Sequence, residues 1–309
     1  MISGLSPSNE QFLASLNILQ NNLSQADEQL SSGLSVNQAS DAPQSIGDIF
    51  EIRSELGQAT QTTQNLTTIQ GQVQTASSGV QSAIELLSQA VSLGTEGAST
   101  SATLPTQQSL AAQVQALQGQ LVAISNTEVG GVYVFSGDAT GSPAYQVDPS
   151  SPTGVDQLIT PQQATLQVEG PSGVTFQVSM TAQELFDQQD SIGNPTANNA
   201  FAALQGLVEA LQSGSGANIT QAIGALQTAS NYVNSQTSFY GAAENNVSSA
   251  LDLAQKYQTQ DQTQLGGLED ANTATLAVEV TQASTALDAA MSAEAHEPTT
   301  TLFDYLPIT

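Results

Sequence analysis

Residues 12–30 read FLASLNILQNNLSQADEQL, and in them Phe12, Leu16, Leu19, Leu23, Ala26 and Leu30 are spaced 4, 3, 4, 3, 4. That spacing lays a narrow apolar stripe along a helix, the seam of a coiled coil. The other end of the chain repeats the pattern. In LAVEVTQASTALDAA (276–290), Leu276, Val280, Ala283, Leu287 and Ala290 are spaced 4, 3, 4, 3. Neither helix can bury such a stripe alone, and a lone amphipathic helix is marginal in water. Two terminal seams more than 200 residues apart predict that the ends pair with each other or with other copies of the chain. A self-assembling structural subunit is therefore expected ahead of an enzyme.

Inward from the first seam, a helix over 9–32 has Ser6 and Ser8 as candidate N-caps around Pro7. Gly33 interrupts it, and NQASDAP (37–43) reads as a loop with Asp41 as a candidate cap. A long helix then runs from Pro43 to about Leu93. Its heptad stripe is Leu66, Ile69, Val73, Ala76, Val80, Ala83, Leu87 and Ala90, broken in propensity by Gly71 and Gly79. Gly94 and Gly97 are expected to end it. A third helix over 106–127 opens at Pro105 and carries Leu110, Val114, Leu117, Leu121 and Ile124 on one stripe.

The period changes next. GGVYVFSG (130–137) reads as a strand, and alternation returns at 165–169 and 174–180. A short helix is expected over 181–188 and a longer one over 196–212, followed by a turn at SGSGAN (213–218). From Ile219 the pattern is helical nearly to Glu297, with Gly241 and Gly266–Gly267 as candidate kinks and a polar seam at Gln258 and Asp261.

The expected fold is mainly α: a long antiparallel helical bundle or coiled coil with a small β-rich inserted domain. The expected segments are an assembly helix over 1–44, a helical rod over 45–129 and 191–263, a β-rich insert over 130–190, and a second assembly helix with tail over 264–309. Phe12, Leu16, Leu19, Leu23, Leu30, Leu276, Val280, Ala283 and Leu287 are the expected inter-subunit residues. Leu66, Ile69, Val73, Val80, Leu87, Leu110, Val114, Leu117 and Leu121 are the expected rod core.

Composition narrows the function. The chain has 28 acidic residues, ordinary for its length, but only two basic ones, Arg53 and Lys256. With no basic footprint, nucleic acid and anionic membrane surfaces are excluded as partners. Intrachain salt bridges are nearly unavailable. A net charge of −26 repels neighbouring copies at neutral pH. Carboxylate protonation relieves that repulsion, so assembly is expected to be favoured by mild acid or high salt. Equal polymerisation at about pH 7 and about pH 4.5 contradicts this expectation.

The chain has no cysteine, and MISGLSPSNEQ (1–11) has neither the charge nor the apolar run of a cleaved signal peptide. Catalysis finds no footing. The single histidine, His296, lies in an acidic stretch, and Lys256 has no Gly-rich phosphate loop. Asp187 and Asp190 lack calcium-loop spacing and read as a solvated turn. Glu51 and Glu55 read as a polar helix face near Arg53. No cofactor or metal is expected.

The terminal heptads followed by LSSGL (30–34) and SDAP (40–43) resemble the amino-terminal region of the bacterial flagellin superfamily. FYGAAENNVSSALDLAQ (239–255) and GLEDANTATLAVEVTQASTALDAAMSAEA (267–295) resemble its carboxy-terminal helices. GVYVFSGDATGSPAY (131–145) and LFDYL (302–306) resemble the hook–filament junction branch more than filament subunits. There are departures: Ala42 stands where the superfamily usually has a second aspartate, and its basic residues near the break are missing.

The resemblance implies a structural subunit of the extracellular flagellum, exported unfolded without a cleaved signal. Its implied partners are other copies, neighbouring axial proteins and an export chaperone. Its terminal helices would be disordered in the monomer and form an inner tube on assembly. A subunit of the filament proper is the alternative, and a secreted coiled-coil tip or translocator protein a more distant one.

Overall fold

The structure, a computed structural model, describes residues 7–159 and 167–295. The expected LFDYL tail, Ser6 and His296 lie outside the described residues, as do residues 165–166 of one expected strand.

Seven helices and six short strands follow in chain order among the described residues. They are α1 (Pro7–Ser32), α2 (Ile46–Gly97), α3 (Leu104–Ser125), β1 (Glu128–Val129), β2 (Val132–Tyr133), β3 (Tyr145–Val147), β4 (Val155–Gln157), β5 (Gln167–Glu169), β6 (Thr175–Gln177), α4 (Ala182–Phe186), α5 (Ala200–Ser213), α6 (Gly216–Glu269) and α7 (Thr273–Ala295). The strands pair as three antiparallel hairpins: β1 with β2, β3 with β4, and β5 with β6. The expected mainly α architecture with a small β-containing insert is borne out.

The chain divides into two compact units. A terminal unit comprises Met1–Gln58 and Tyr257–Thr309, and a central unit comprises Ala59–Lys256. Both divisions fall inside long helices, α2 and α6.

The central unit holds one continuous apolar core. On α2 it contains Leu66, Val73, Val80 and Leu87, and on α3 Leu110, Val114, Leu117 and Leu121; Ile69 packs against it half-buried. Helices α5 and α6 add Phe201, Leu204, Leu207, Leu211, Leu226 and Val233. The insert joins the same core through Phe135, Tyr145, Leu185 and Phe186.

Several local expectations are corrected. Residues 130–137 are not one strand: Gly130 and Gly131, at φ 60° and 84°, form the two-residue turn between β1 and β2. Beyond β2, Phe135 turns inward, and a Cβ on Gly79 would meet its ring at 3.2 Å. Gly79 is thus the seat of an aromatic ring.

α2 runs through Gly94 and ends at Gly97, as expected of the second glycine only. A Cβ at Gly94 would meet Ile223 at 2.9 Å, and one at Gly97 would collide with Leu211, so they let the helices approach closely. α5 starts at Ala200 rather than 196, because the Asn199 side chain accepts from the Ala202 N–H at 2.8 Å and fixes the start there. The 213–218 turn is tighter than expected. Gly214 adopts φ 70°, and α6 begins at Gly216 and passes Gly241 without a break.

The terminal unit is built differently. Among its described residues, the buried apolar side chains are Ala26, Val36, Ile49 and Leu276. So small a core gives little resistance to local opening. Trypsin reports on this, since its only cleavage points are after Arg53 and Lys256. Limited digestion is expected to yield a persistent Ser54–Lys256 fragment, nearly coincident with the central unit, detectable by intact mass. Resistance of the full chain under those conditions would show a terminal unit as firm as the central one.

Candidate assembly site

Helices α1 and α7 pack against each other within the chain. An antiparallel bridge between Leu34 and Asp270 brings the end of α1 beside the start of α7, so the two run antiparallel from that joint. Of the two outcomes the heptads allowed, intrachain pairing is the one observed in the single chain.

The pairing is incomplete. Leu276 is buried, at 7% exposure, while Phe12, Leu16, Leu19, Leu23, Val280, Ala283 and Leu287 are only half-buried. A groove of about 480 Å³ runs along the pair, lined by Leu19, Ala26, Gln29, Ala283 and Ala286 among others. Leu13, Ile18, Val278 and Met291 are exposed on the same two helices.

Leu30 departs from the expected seam and is 38% exposed. Three residues beyond Ala26, Gln29 takes the partly buried place instead and donates its Nε2 to the Ser35 carbonyl at 2.7 Å.

The joint below the pair is held by backbone bonds. The Ser35 N–H donates to the Glu269 carbonyl at 2.6 Å, the Ser35 hydroxyl adds a bond to it at 3.0 Å, and the Ala271 N–H donates to the Gly33 carbonyl at 2.9 Å. Gly33 adopts φ 74°, which permits the turn out of α1. Asp41 does not cap α2. Its Oδ2 accepts from the N–H groups of Asn37 and Gln38 at 3.0 and 2.8 Å and closes the 37–41 loop on itself. Arg53 meets Glu269, not Glu51 or Glu55, at 2.6 Å.

The central unit holds a polar cluster that the sequence reading missed. Asp187 is not part of a solvated turn but is 3% exposed. Its Oδ2 accepts from the Tyr145 hydroxyl at 2.9 Å and Gln189 Nε2 at 2.8 Å, and its Oδ1 from Asn199 Nδ2 at 2.7 Å. Desolvation pushes the Asp187 carboxyl above the usual carboxylate range, and the three donors oppose the shift. Burial, then the neighbouring Asp187 charge, raise the Tyr145 phenol far above its ordinary value.

Around this cluster the Tyr145 and Phe201 rings lie 5.1 Å apart, and Phe186 stands edge-on to Phe135 and Phe201. The cluster ties β3 and the end of α4 to the start of α5. Asp190, by contrast, is exposed and accepts from the Ile192 and Asn194 N–H groups at 2.9 Å, which lowers its pKa. The one advance signal was Asn199, a cap-type residue directly before an apolar helix start.

The described fold combines paired terminal helices, a helical core and a small β insert. Residues 5–140 match the family model of the bacterial flagellin N-terminal helical region, in line with the resemblance in sequence.

Among solved structures, the chain resembles a Vibrio parahaemolyticus protein described as flagellar hook-associated. The two share 19% identity, covering 75% of this chain and 100% of that one, with a TM-score of 0.64. It also resembles the flagellar hook associated protein-3 of Legionella pneumophila, at 13% identity, 71% and 98% coverage and a TM-score of 0.59. A third likeness is to the flagellar junction protein FlgL of the same organism, at 12% identity, 65% and 99% coverage and a TM-score of 0.53. At these identities the likeness is one of fold. No curated protein sequence matches the chain. Among the described residues, no helix is long and apolar enough to cross a membrane.

Proposed function

We propose that the chain is a structural subunit of the bacterial flagellum, placed at the hook–filament junction and assembled through α1 and α7. The observation that carries this reading is the unfinished burial of the terminal pair. Seven seam residues stay half-buried in a unit whose buried apolar side chains, among the described residues, are Ala26, Val36, Ile49 and Leu276. Completing the burial of each Leu would add roughly 1–2 kcal/mol, a part of the 1.5–3 kcal/mol for full transfer. Several such residues per copy offset the entropy of ordering the helices.

In this reading the partners are further copies of the chain and neighbouring axial proteins, and an export chaperone covers the seams beforehand. The chain leaves the cell without a cleaved signal and works outside it. The role is structural, with no catalytic step.

The flagellin N-terminal match also favours a second reading, a subunit of the filament proper. Electron microscopy of purified protein added to isolated hooks separates them. A layer that stops after one tier on the hook end supports the junction role, and long fibres support the filament. Failure to bind hook ends overturns both and leaves a secreted coiled-coil protein.

A further inference from the structure

Glu269 is doubly disfavoured where it stands. It is buried, its side chain 6% exposed, and it is the last residue of α6, whose last turn holds no basic residue. Burial penalises a carboxylate, and a helix C-terminus already carries partial negative charge. Asp270 follows it directly, and Asp48, Glu51 and Glu55 lie along the early turns of α2, close to Arg53 in sequence. A chain with 28 acids and two bases spends its single arginine at this point, with Arg53 Nη2 2.6 Å from Glu269 Oε1. The backbone carbonyl of the same Glu269 takes both bonds from Ser35. One residue thus links three segments: α2 through the ion pair, the exit from α1 through Ser35, and the α6–α7 junction through its own position.

We infer that Arg53 is a positioning residue for assembly, locking the 33–35 and 269–271 joint so that α1 and α7 leave it as a pair. This rests on the flagellar reading above. Simple neutralisation of a buried charge differs from a lock in one testable way. If Arg53 only neutralises, removing both charges restores assembly; if it locks, only a restored pair does.

The test uses the full chain bearing Arg53→Gln, the double neutral Arg53→Gln with Glu269→Gln, and the swap Arg53→Glu with Glu269→Arg. Hook-end occupancy is measured by electron microscopy, and amide exchange is followed at 33–36 and 269–276. Arg53→Gln is expected to lower occupancy about tenfold, which corresponds to about 1.4 kcal/mol. It should also speed exchange at the joint, while exchange over 59–256 stays unchanged. The double neutral variant is expected to stay low and the swap to recover. Wild-type occupancy in Arg53→Gln or in the double neutral variant overturns the lock, as does unchanged exchange at the joint. If the unmodified chain fails to bind hook ends, the flagellar reading falls, and the exchange data still decide whether Arg53 holds the joint.

Discussion

Asp187→Ala destabilises the central unit by about 2–4 kcal/mol, measured by chemical denaturation of the full chain. The change strands the Tyr145 hydroxyl and takes one acceptor each from Asn199 and Gln189. Each buried group left unpaired costs about 1–3 kcal/mol, and loss of a desolvated carboxylate returns part of that.

Asp187→Asn separates the hydrogen bonds from the charge. The Asp187 carboxyl is raised above the usual range, so the folded protein keeps its proton at a pH where the unfolded chain has lost it. Its contribution is fully present below the unfolded carboxylate pKa and fades as pH rises through the folded one. The wild type should therefore lose stability relative to Asp187→Asn across that window. A parallel pH dependence in the two proteins would show that Asp187 titrates as an ordinary exposed carboxylate.

The second large effect is on assembly, with little on stability. Leu23→Asp and Leu287→Asp place a charge on the half-buried seam of α1 and α7. Each is expected to reduce hook-end binding roughly a hundredfold, combining about 1–3 kcal/mol of lost apolar burial with the cost of desolvating a carboxylate. The main unfolding transition, which reports the large core of residues 59–256, should shift by less than about 0.5 kcal/mol, as for substitutions away from a packed core. Equal losses of binding and of core stability would mean that the seam belongs to the folding core.

The helices were legible in the sequence because their signals are local and periodic. The stripe through Leu66, Val73, Val80 and Leu87 identifies one buried face of α2 without any tertiary information. The ends of elements were less legible. Gly94 looks like a helix terminator in one dimension, whereas its packing against Ile223 depends on a residue more than a hundred positions away. Asp187 was misread for the same reason. A single acid among polar residues reads as solvated until the fold delivers Tyr145 from 42 residues upstream. Arg53 and Glu269 are a like case, since proximity along α2 favours Glu51 and Glu55 as partners and only the joint brings Glu269 near.

The pairing of α1 with α7 was one of two outcomes the heptads allowed. Choosing between them required the bridge from Leu34 to Asp270, which no periodicity encodes. The half-exposed seams that remain are the part of the pattern that folding of one chain does not use.

Hydrogen exchange on the full chain, free and then bound to hook ends, tests most directly whether the terminal pair is completed by assembly. In the free chain, amides of residues 12–30 and 276–290 should exchange far faster than those of the central core, then slow by at least about a hundredfold on binding. If those segments are already as protected in the free chain as residues 66–90, the terminal unit needs no partner and the account is contradicted.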